Sequence, residues 1–400
     1  MTTAPSAPNH PFPFDDKFFK DPYPTYVALH ETGRTVHRIS LPDGNESWLI
    51  TGYEEASEAL KDRRLVRNRR HAGSDYQSEM LPEIVRSGNL HMEDGQIHTR
   101  LRRFMNWAFT PKRVEALVPR IKEVTKGLLD AMEANGGGDI MDGLAAPLPI
   151  AMTTGILGVP DDQIGDFRFW SDEMLGGEPA RARAGAEKLL EYVQRLIDLK
   201  RREPDDDLIS YWVSATDNEG NPLTDQEMIG MTFFLLLGGY DTTVGQIGAS
   251  VIALINHPEK AEQMRNNPEI IPDAVEELMR WDGSTHSGIR RFAAEDVVIG
   301  GEKISSGDLV LISLGAANRC PMRFSEPDEL DFGREENFQL GFGRGPHHCP
   351  GKELARHELR VALGELVRRF PDLSLAVPAE DITWRPSYLI RVPYKLPVRF

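Results

Sequence analysis

The chain has 400 residues, 46 of them Lys or Arg against 62 Asp or Glu, a formal net charge of −16. That excess of negative charge argues against nucleic acid or a membrane surface as partner, because both reward clustered positive charge. With 40% hydrophobic and 27% charged residues, the composition is that of a folded chain with enough length for a large buried core.

The first 14 residues are rich in Pro, Thr and Ser and lack the basic-then-apolar pattern of a secretory signal, so a flexible tail over 1–14 is expected, followed by one domain over 15–400. Alternating segments at 36–41 and 47–51 flank Pro42, Asp43, Gly44 and Asn45, a hairpin signal. Amphipathic helical patterns follow at about 53–61, 96–108, 112–134, 160–175 and 180–203, broken by glycines at 136–138 and 176–177 and by Pro204. A strand-rich patch covers 288–314, and a last helix at about 351–370 precedes short strands near the C-terminus. The fold expected is mainly α with small β-sheets. The longest apolar stretch, 231–237, falls far short of the roughly 18–20 residues that span a bilayer. Two cysteines, Cys320 and Cys349, make no disulfide framework. A reducing, cytoplasmic setting is expected.

One helix is unusual. Thr224 and Glu227 have capping-box spacing, and the helical pattern runs to Asn256 before His257 and Pro258 end it. Roughly 33 residues at 1.5 Å each give a length of about 50 Å. Its middle holds Gly238, Gly239, Tyr240, Asp241 and Thr242. Each internal glycine costs roughly 1 kcal/mol against alanine, and an acid follows in an apolar setting. Either two helices approach closely there, or a function is served.

The strongest signal is 342–351, Phe-Gly-Arg-Gly-Pro-His-His-Cys-Pro-Gly. Glycines let backbone pass close to a flat ligand, and Cys349 arrives just ahead of a helix N-terminus, which favours the thiolate. A sulfur so placed suits a metal or an electrophile. Zinc is disfavoured because His347, His348 and Cys349 are consecutive and no second ligand pair is near. A nucleophilic or an inert buried cysteine stays open.

These ten residues match the haem-binding loop of cytochrome P450 monooxygenases, Phe-Gly-x-Gly-x-His-x-Cys-x-Gly, at every fixed position. Gly238–Thr242 on the long helix and the Glu277-Leu278-Met279-Arg280 segment resemble two further family signatures, in the family's order. The resemblance extends over nearly the whole chain and is to bacterial, soluble members. It implies a single large domain with a long central helix over haem b, and Cys349 as the iron ligand within a loop that includes Phe342, Gly343 and Gly351. His98, Arg102, Arg291 and His347 are implied to meet the haem propionates, with Arg100 and Arg290 as ordinary surface cations. Gly238 and Gly239 would leave space for oxygen, and Asp241 and Thr242 would relay protons. Glu277, Arg280 and Arg334 would form a structural ion-pair network.

The same resemblance places the substrate pocket around 71–95, the turn at 164–177, Phe233, Leu237, Gly238, His286, Ser287, Ile289, Tyr388 and Leu389. A mid-sized, partly oxygenated substrate such as a polyketide or macrolide intermediate fits that mixture, for hydroxylation or epoxidation. Electrons are expected from NAD(P)H through ferredoxin reductase and ferredoxin. Arg103, Arg344, Lys352, Arg356 and Arg360 would form the docking face, because small ferredoxins are acidic. A peroxide-driven peroxygenase and a haem sensor are the alternatives, and the Asp241–Thr242 pair speaks against both.

Overall fold

The computed structural model describes residues 11, 13–76, 88–175 and 179–400, with the backbone alone at Leu175, Pro179 and Leu237. The parts of the expected tail, of the 71–95 loop and of the 164–177 turn that fall on 1–10, 12, 77–87 and 176–178 lie outside the described residues. Helices dominate. They form two compact units that interleave along the chain.

The first unit gathers the described residues of Met1–Met80, Ala249–Cys349 and Pro378–Tyr394. Its five-stranded sheet has the order Val36–Ser40, Glu46–Ile50, Leu309–Ile312, Arg291–Ala293, Leu65–Val66. The expected hairpin forms the first pair, with Gly44 at φ +82° closing its turn. Glu46–Ile50 then pairs in parallel with Leu309–Ile312, Leu49 opposite Leu311. Val36, Ile50, Leu65, Ala293, Val310 and Ile312 bury one face of this sheet against Tyr53, Ala56 and Leu60 of the helix Tyr53–Lys61. Phe14 belongs to this unit's second core cluster, 2% exposed and stacked on Tyr388 at 4.9 Å. The end of the expected tail is therefore anchored, because an aromatic ring of that size gains more from burial than the chain loses in freedom.

The second unit gathers the described residues of Leu81–Gly248, Pro350–Val377 and Lys395–Phe400. Its helices include Gly95–Asn106, Pro111–Ala134, Pro147–Leu157, Ile164–Leu175, Pro179–Arg202 and Lys352–Arg369. Lys352–Arg369 lies along Pro111–Ala134 and is pinned at its end by Arg369 to Asp130 at 2.7 Å. A three-stranded sheet joins Gly137–Asp139, Pro397–Arg399 and Ser374–Leu375. The glycine run has a reason here: a Cβ on Gly137 (φ +148°) would stand 2.5 Å from the Val398 carbonyl oxygen.

The long helix starts at its capping box, with Thr224 and Glu227 bonded reciprocally, and runs through Asp225–Leu235. A single π-turn over Leu236–Tyr240 interrupts it before Asp241–Asn256 resumes. No helix among the described residues is long and apolar enough to cross a membrane.

Candidate functional site

Two glycines shape the cysteine loop. Gly343 and Gly345 take φ of +67° and +71°, and a Cβ on Gly345 would stand 2.7 Å from the Leu60 carbonyl oxygen. The Gly343 N–H donates to the Leu340 carbonyl at 2.7 Å, that of His348 to Gly345 at 3.1 Å, and that of Cys349 to Phe342 at 2.9 Å. The loop is thus tied to its own cysteine. Cys349 is half-buried and belongs to no disulfide. Two residues further along the chain, Gly351 caps the helix Lys352–Arg369 without a side-chain acceptor. Its first-turn N–H groups keep a partial positive charge, which favours a thiolate close by. A Cβ on Gly351 would approach the Phe109 ring to 3.3 Å.

These residues fit a haem. Among the described residues, no three His, Cys, Asp or Glu side chains gather as a cage for a bare metal ion. One soft sulfur in a glycine-lined loop suits an iron that brings four nitrogens of its own, and Cys349 would be the residue that holds it.

The stretch leading into the loop is held by charge. Glu277, 1% exposed, receives Arg280 through Nε at 2.7 Å and Nη2 at 2.8 Å, and Arg334 through Nε at 3.2 Å. The Asp331 N–H and the Asn337 amide donate to the same carboxylate, each at 2.9 Å. Arg280 spends its remaining donors on the carbonyls of Asn318, Pro327 and Glu329. Sequence reasoning found the three charged members and missed Asn337, which no spacing pattern marks. Asn318 completes the support, its side-chain oxygen accepting the Leu340 N–H at 2.7 Å.

In the long helix, Thr242 donates its hydroxyl to the Gly238 carbonyl at 2.7 Å, and Thr243 to that of Gly239 at 3.1 Å. Two hydroxyls bonding back one turn, together with two residues lacking side chains, account for the π-turn, since such bonds loosen the regular ladder. Asp241 is 5% exposed. Tyr240 donates to Asp172 at 2.6 Å, and burial followed by that carboxylate holds its phenol well above the ordinary value. Phe233 is fully buried; the side chain of Leu237 lies outside the described residues. The relief at Gly238 is not open: His91, a residue the sequence did not single out, lies against it.

Among the cations, His98 and Arg102 sit one turn apart on Gly95–Asn106, His98 buried and Arg102 donating to Asn106 at 2.8 Å. Arg291 is 3% exposed and donates to the Leu65 and Leu60 carbonyls at 3.0 and 3.4 Å. His347 is half-buried in the turn Gly345–His347. One expectation needs correction, and another is refined. Arg290 is no surface cation: it is 8% exposed, pairs with Asp43 at 2.6 Å and donates to the Tyr388 hydroxyl. Arg100 is clamped by Asp217 at 2.7 Å and Glu227 at 2.6 Å. Both partners lie too far along the chain for any local pattern to reveal them.

The residues expected to line a pocket divide. His286 is 2% exposed with Nδ1 3.0 Å from the Tyr26 hydroxyl, and burial lowers its pKa. Tyr388 is occupied by Phe14 and Arg290. His286 Nδ1 and the Tyr388 hydroxyl are thus engaged within the first unit, while His286 Nε2 stands 3.8 Å from Asp282. Ser287 is buried, its N–H on the Leu389 carbonyl at 3.3 Å, while Ile289 and Leu389 are half-buried.

The expected basic face is also more neutral than its sequence. Glu353 pairs with Arg356 at 2.8 Å and approaches Lys352 at 4.0 Å. Arg360 is half-buried, and Arg103 donates to the Asn218 side chain and the Thr216 carbonyl. Arg344 turns to the Tyr53 hydroxyl and Ser57, at 2.8 and 3.1 Å.

Comparison with known proteins bears on these observations directly. The family model described as Cytochrome P450 matches residues 156–384. The chain is 39% identical over 386 residues to the cytochrome P450 monooxygenase PikC of Streptomyces venezuelae, covering 96% of this chain and 92% of that one. It is 39% identical to the mycinamicin IV hydroxylase/epoxidase of Micromonospora griseorubida, covering 98% and 99%. The solved structure of the bacillaene polyketide synthase cytochrome P450 PksS of Bacillus subtilis 168 superposes with a TM-score of 0.89 at 34% identity, covering 97% and 98%. Likeness of that extent, with the cysteine loop intact, makes the chain a member of the cytochrome P450 family, a monooxygenase with a cysteine-ligated haem b.

Proposed function

We propose that this monooxygenase hydroxylates or epoxidises a mid-sized, partly oxygenated organic molecule of the polyketide or macrolide kind, with electrons from NAD(P)H through ferredoxin reductase and ferredoxin. Bound through Cys349, the haem supplies an oxygen-activating iron whose anionic sulfur favours O–O cleavage over reversible carriage. The chain's own part is to hold that group and to manage protons. Cys349 ligates; His98, Arg102, Arg291 and His347 answer the propionates. Gly343 and Gly351, without side chains, would leave room for the ring, and Phe342 opens the loop that would carry it.

The observation that carries the reading is the π-turn with its acid and alcohol. Thr242 holds its proton on the Gly238 carbonyl at 2.7 Å, one residue from the buried Asp241 carboxyl. A hydroxyl whose donor can be redirected, beside a carboxyl that can replenish it, is what proton delivery to bound oxygen needs. A peroxygenase needs no such relay. The substrate class is supported by the relatives, named for mycinamicin IV hydroxylation or epoxidation and for polyketide biosynthesis. Phe233, Gly238, Ser287, Ile289 and Leu389 remain the assigned pocket lining, with Leu237 beside them in sequence.

The test titrates purified holoprotein with a panel of macrolactones and linear polyketides, reading the substrate-induced spin-state change, then supplies NADPH, reductase and ferredoxin. The expected result is an oxygenated product. With Thr242→Ala, product per NADPH falls several-fold while oxygen uptake persists. Undiminished yield from that variant, or product from peroxide alone at the full rate, would overturn the reading.

A further inference from the structure

Tyr240 ends the π-turn of the long helix, one residue before Asp241, and is 2% exposed. Its hydroxyl donates at 2.6 Å to Asp172, an exposed residue of the helix Ile164–Leu175. Arg168, one turn earlier on that helix, sets its Nε 3.5 Å from Asp172 Oδ2 and its Nη2 3.8 Å from Asp142. Burial, then the charge of Asp172 and, less strongly, that of Asp241 keep the phenol protonated, so its donor stays in place across the working pH range. A phenylalanine would fill the same space with no polar group to desolvate. The hydroxyl therefore serves position, since a hydrogen bond to a charged acceptor is directional as well as strong.

The tie is made to a helix that is itself held. Ile164–Leu175 packs so closely on Pro179–Arg202 that a Cβ on Gly185 would stand 2.7 Å from the Trp170 carbonyl oxygen. The start of the long helix is fastened to the same helix pair: Asp225 accepts from Gln194 and from Arg201, each at 3.1 Å. The π-turn thus lies between two anchors, Asp225 before it and Tyr240 at its end. Relaxing the turn to regular α geometry slips the ladder by one residue and rotates the two halves of the helix against each other by about 100°. Tyr240 would then lose Asp172. Conversely, that bond holds the slipped register from which Asp241 and Thr242, next in sequence, take their direction.

We propose that Tyr240 is a positioning residue: bonded to Asp172, it ties the π-turn to the helix Ile164–Leu175 and keeps Asp241 and Thr242 in the register that proton delivery needs while that helix is seated. The inference deepens the proposed function and rests on its assignment of Asp241 and Thr242 to the relay. Tyr240 passes no proton itself. Its helix partner carries most of the 164–177 stretch assigned to the pocket, so a substrate that shifts this helix acts on the relay through one hydrogen bond. Small displacements can switch such an element, because a helix ladder has discrete registers and none between them.

Hydrogen exchange on the holoprotein tests the tie directly, comparing peptides over 236–243 with those over 225–235 in the wild type, Tyr240→Phe, Asp172→Ala and Asp172→Asn. Tyr240→Phe keeps the ring and Asp172→Asn keeps an acceptor oxygen, so both guard against loss of folding. Several-fold faster exchange, confined to 236–243, is expected in Tyr240→Phe and Asp172→Ala, with Asp172→Asn close to the wild type. With a compound that the wild type oxygenates, the first two variants should also lose product per NADPH several-fold while oxygen uptake persists, and Asp172→Asn should restore the yield. Exchange unchanged in both overturns the inference, as does acceleration spread over the whole chain. Faster exchange with undiminished yield overturns the positioning role while the relay stands; full yield from Thr242→Ala removes the relay reading and the inference with it.

Discussion

Glu277 and Glu358 are both shut away from water, at 1% and 2% exposure, and the fold treats them in opposite ways. Glu277 meets two guanidinium groups, a backbone N–H and an amide, so its charge is answered on every side. Glu358, on the helix Lys352–Arg369, has Oε1 buried with no hydrogen-bond partner among the described residues, and burial alone pushes its pKa up to about 8. One carboxylate is a node that ties chain segments together. The other stays folded by keeping its proton. A buried acid thus needs either full compensation or neutrality, and the two glutamates mark the two solutions.

The comparison breaks most visibly at the compensated site. Glu277→Gln leaves the buried Arg280 and the half-buried Arg334 without their carboxylate, and Arg280→Ala leaves the carboxylate short of its main partner. Either change is expected to cost about 3–5 kcal/mol. Chemical denaturation of the holoprotein, with haem retention as a second readout, measures it. A loss under about 1 kcal/mol would mean that the network decorates the loop's approach without holding it.

Glu358→Gln has the opposite character. In the folded chain Glu358 keeps its proton up to about pH 8, whereas unfolded it gives it up near its ordinary value of 4.5. The folded state therefore binds more protons between those values, and wild-type stability falls as pH rises through that window and levels off above it. Glutamine does not titrate. The variant is expected to match the wild type near pH 5 and to exceed it by an amount on the order of a few kcal/mol near pH 8. Carboxylates common to both proteins cancel in the difference, so parallel stability curves for the two would show that Glu358 is ionised and compensated after all.

What the sequence made legible follows from the range of each interaction. The capping box of Thr224 and Glu227, the helices near 53–61 and 112–134 and the cysteine loop are all written within a few residues, and the structure reproduces them. The π-turn over Leu236–Tyr240 was not legible, because apolar periodicity reports a helix without reporting a one-residue slip in its ladder. Nor was the setting of Arg100, whose partners lie 117 and 127 positions away, or of Arg290, 98 positions from Tyr388. His91 fell within the 71–95 stretch assigned to the pocket by resemblance, but no local pattern set it against Gly238, a glycine in another element. The two units left no composition shift to read because each is assembled from separated stretches of chain.

The smallest effect concerns the basic face, where the sequence shows Lys352, Arg356 and Arg360 at spacing of four and the structure sets Glu353 against the first two. A partly neutralised stripe steers an acidic ferredoxin less than a bare one, so Arg356→Glu is expected to slow the first electron transfer several-fold at low salt and little above physiological ionic strength, where the screening length falls below about 8 Å. Its effect on stability is about 0.5 kcal/mol, the scale of an exposed helix pair. Glu353→Gln supplies the opposite sign: releasing Arg356 and Lys352 from their counter-charge should speed the same encounter at low salt. Stopped-flow reduction of the two variants side by side distinguishes a docking surface from a solvated one, because an electrostatic encounter must respond in opposite directions to the two substitutions, whereas a surface that never meets the ferredoxin responds to neither.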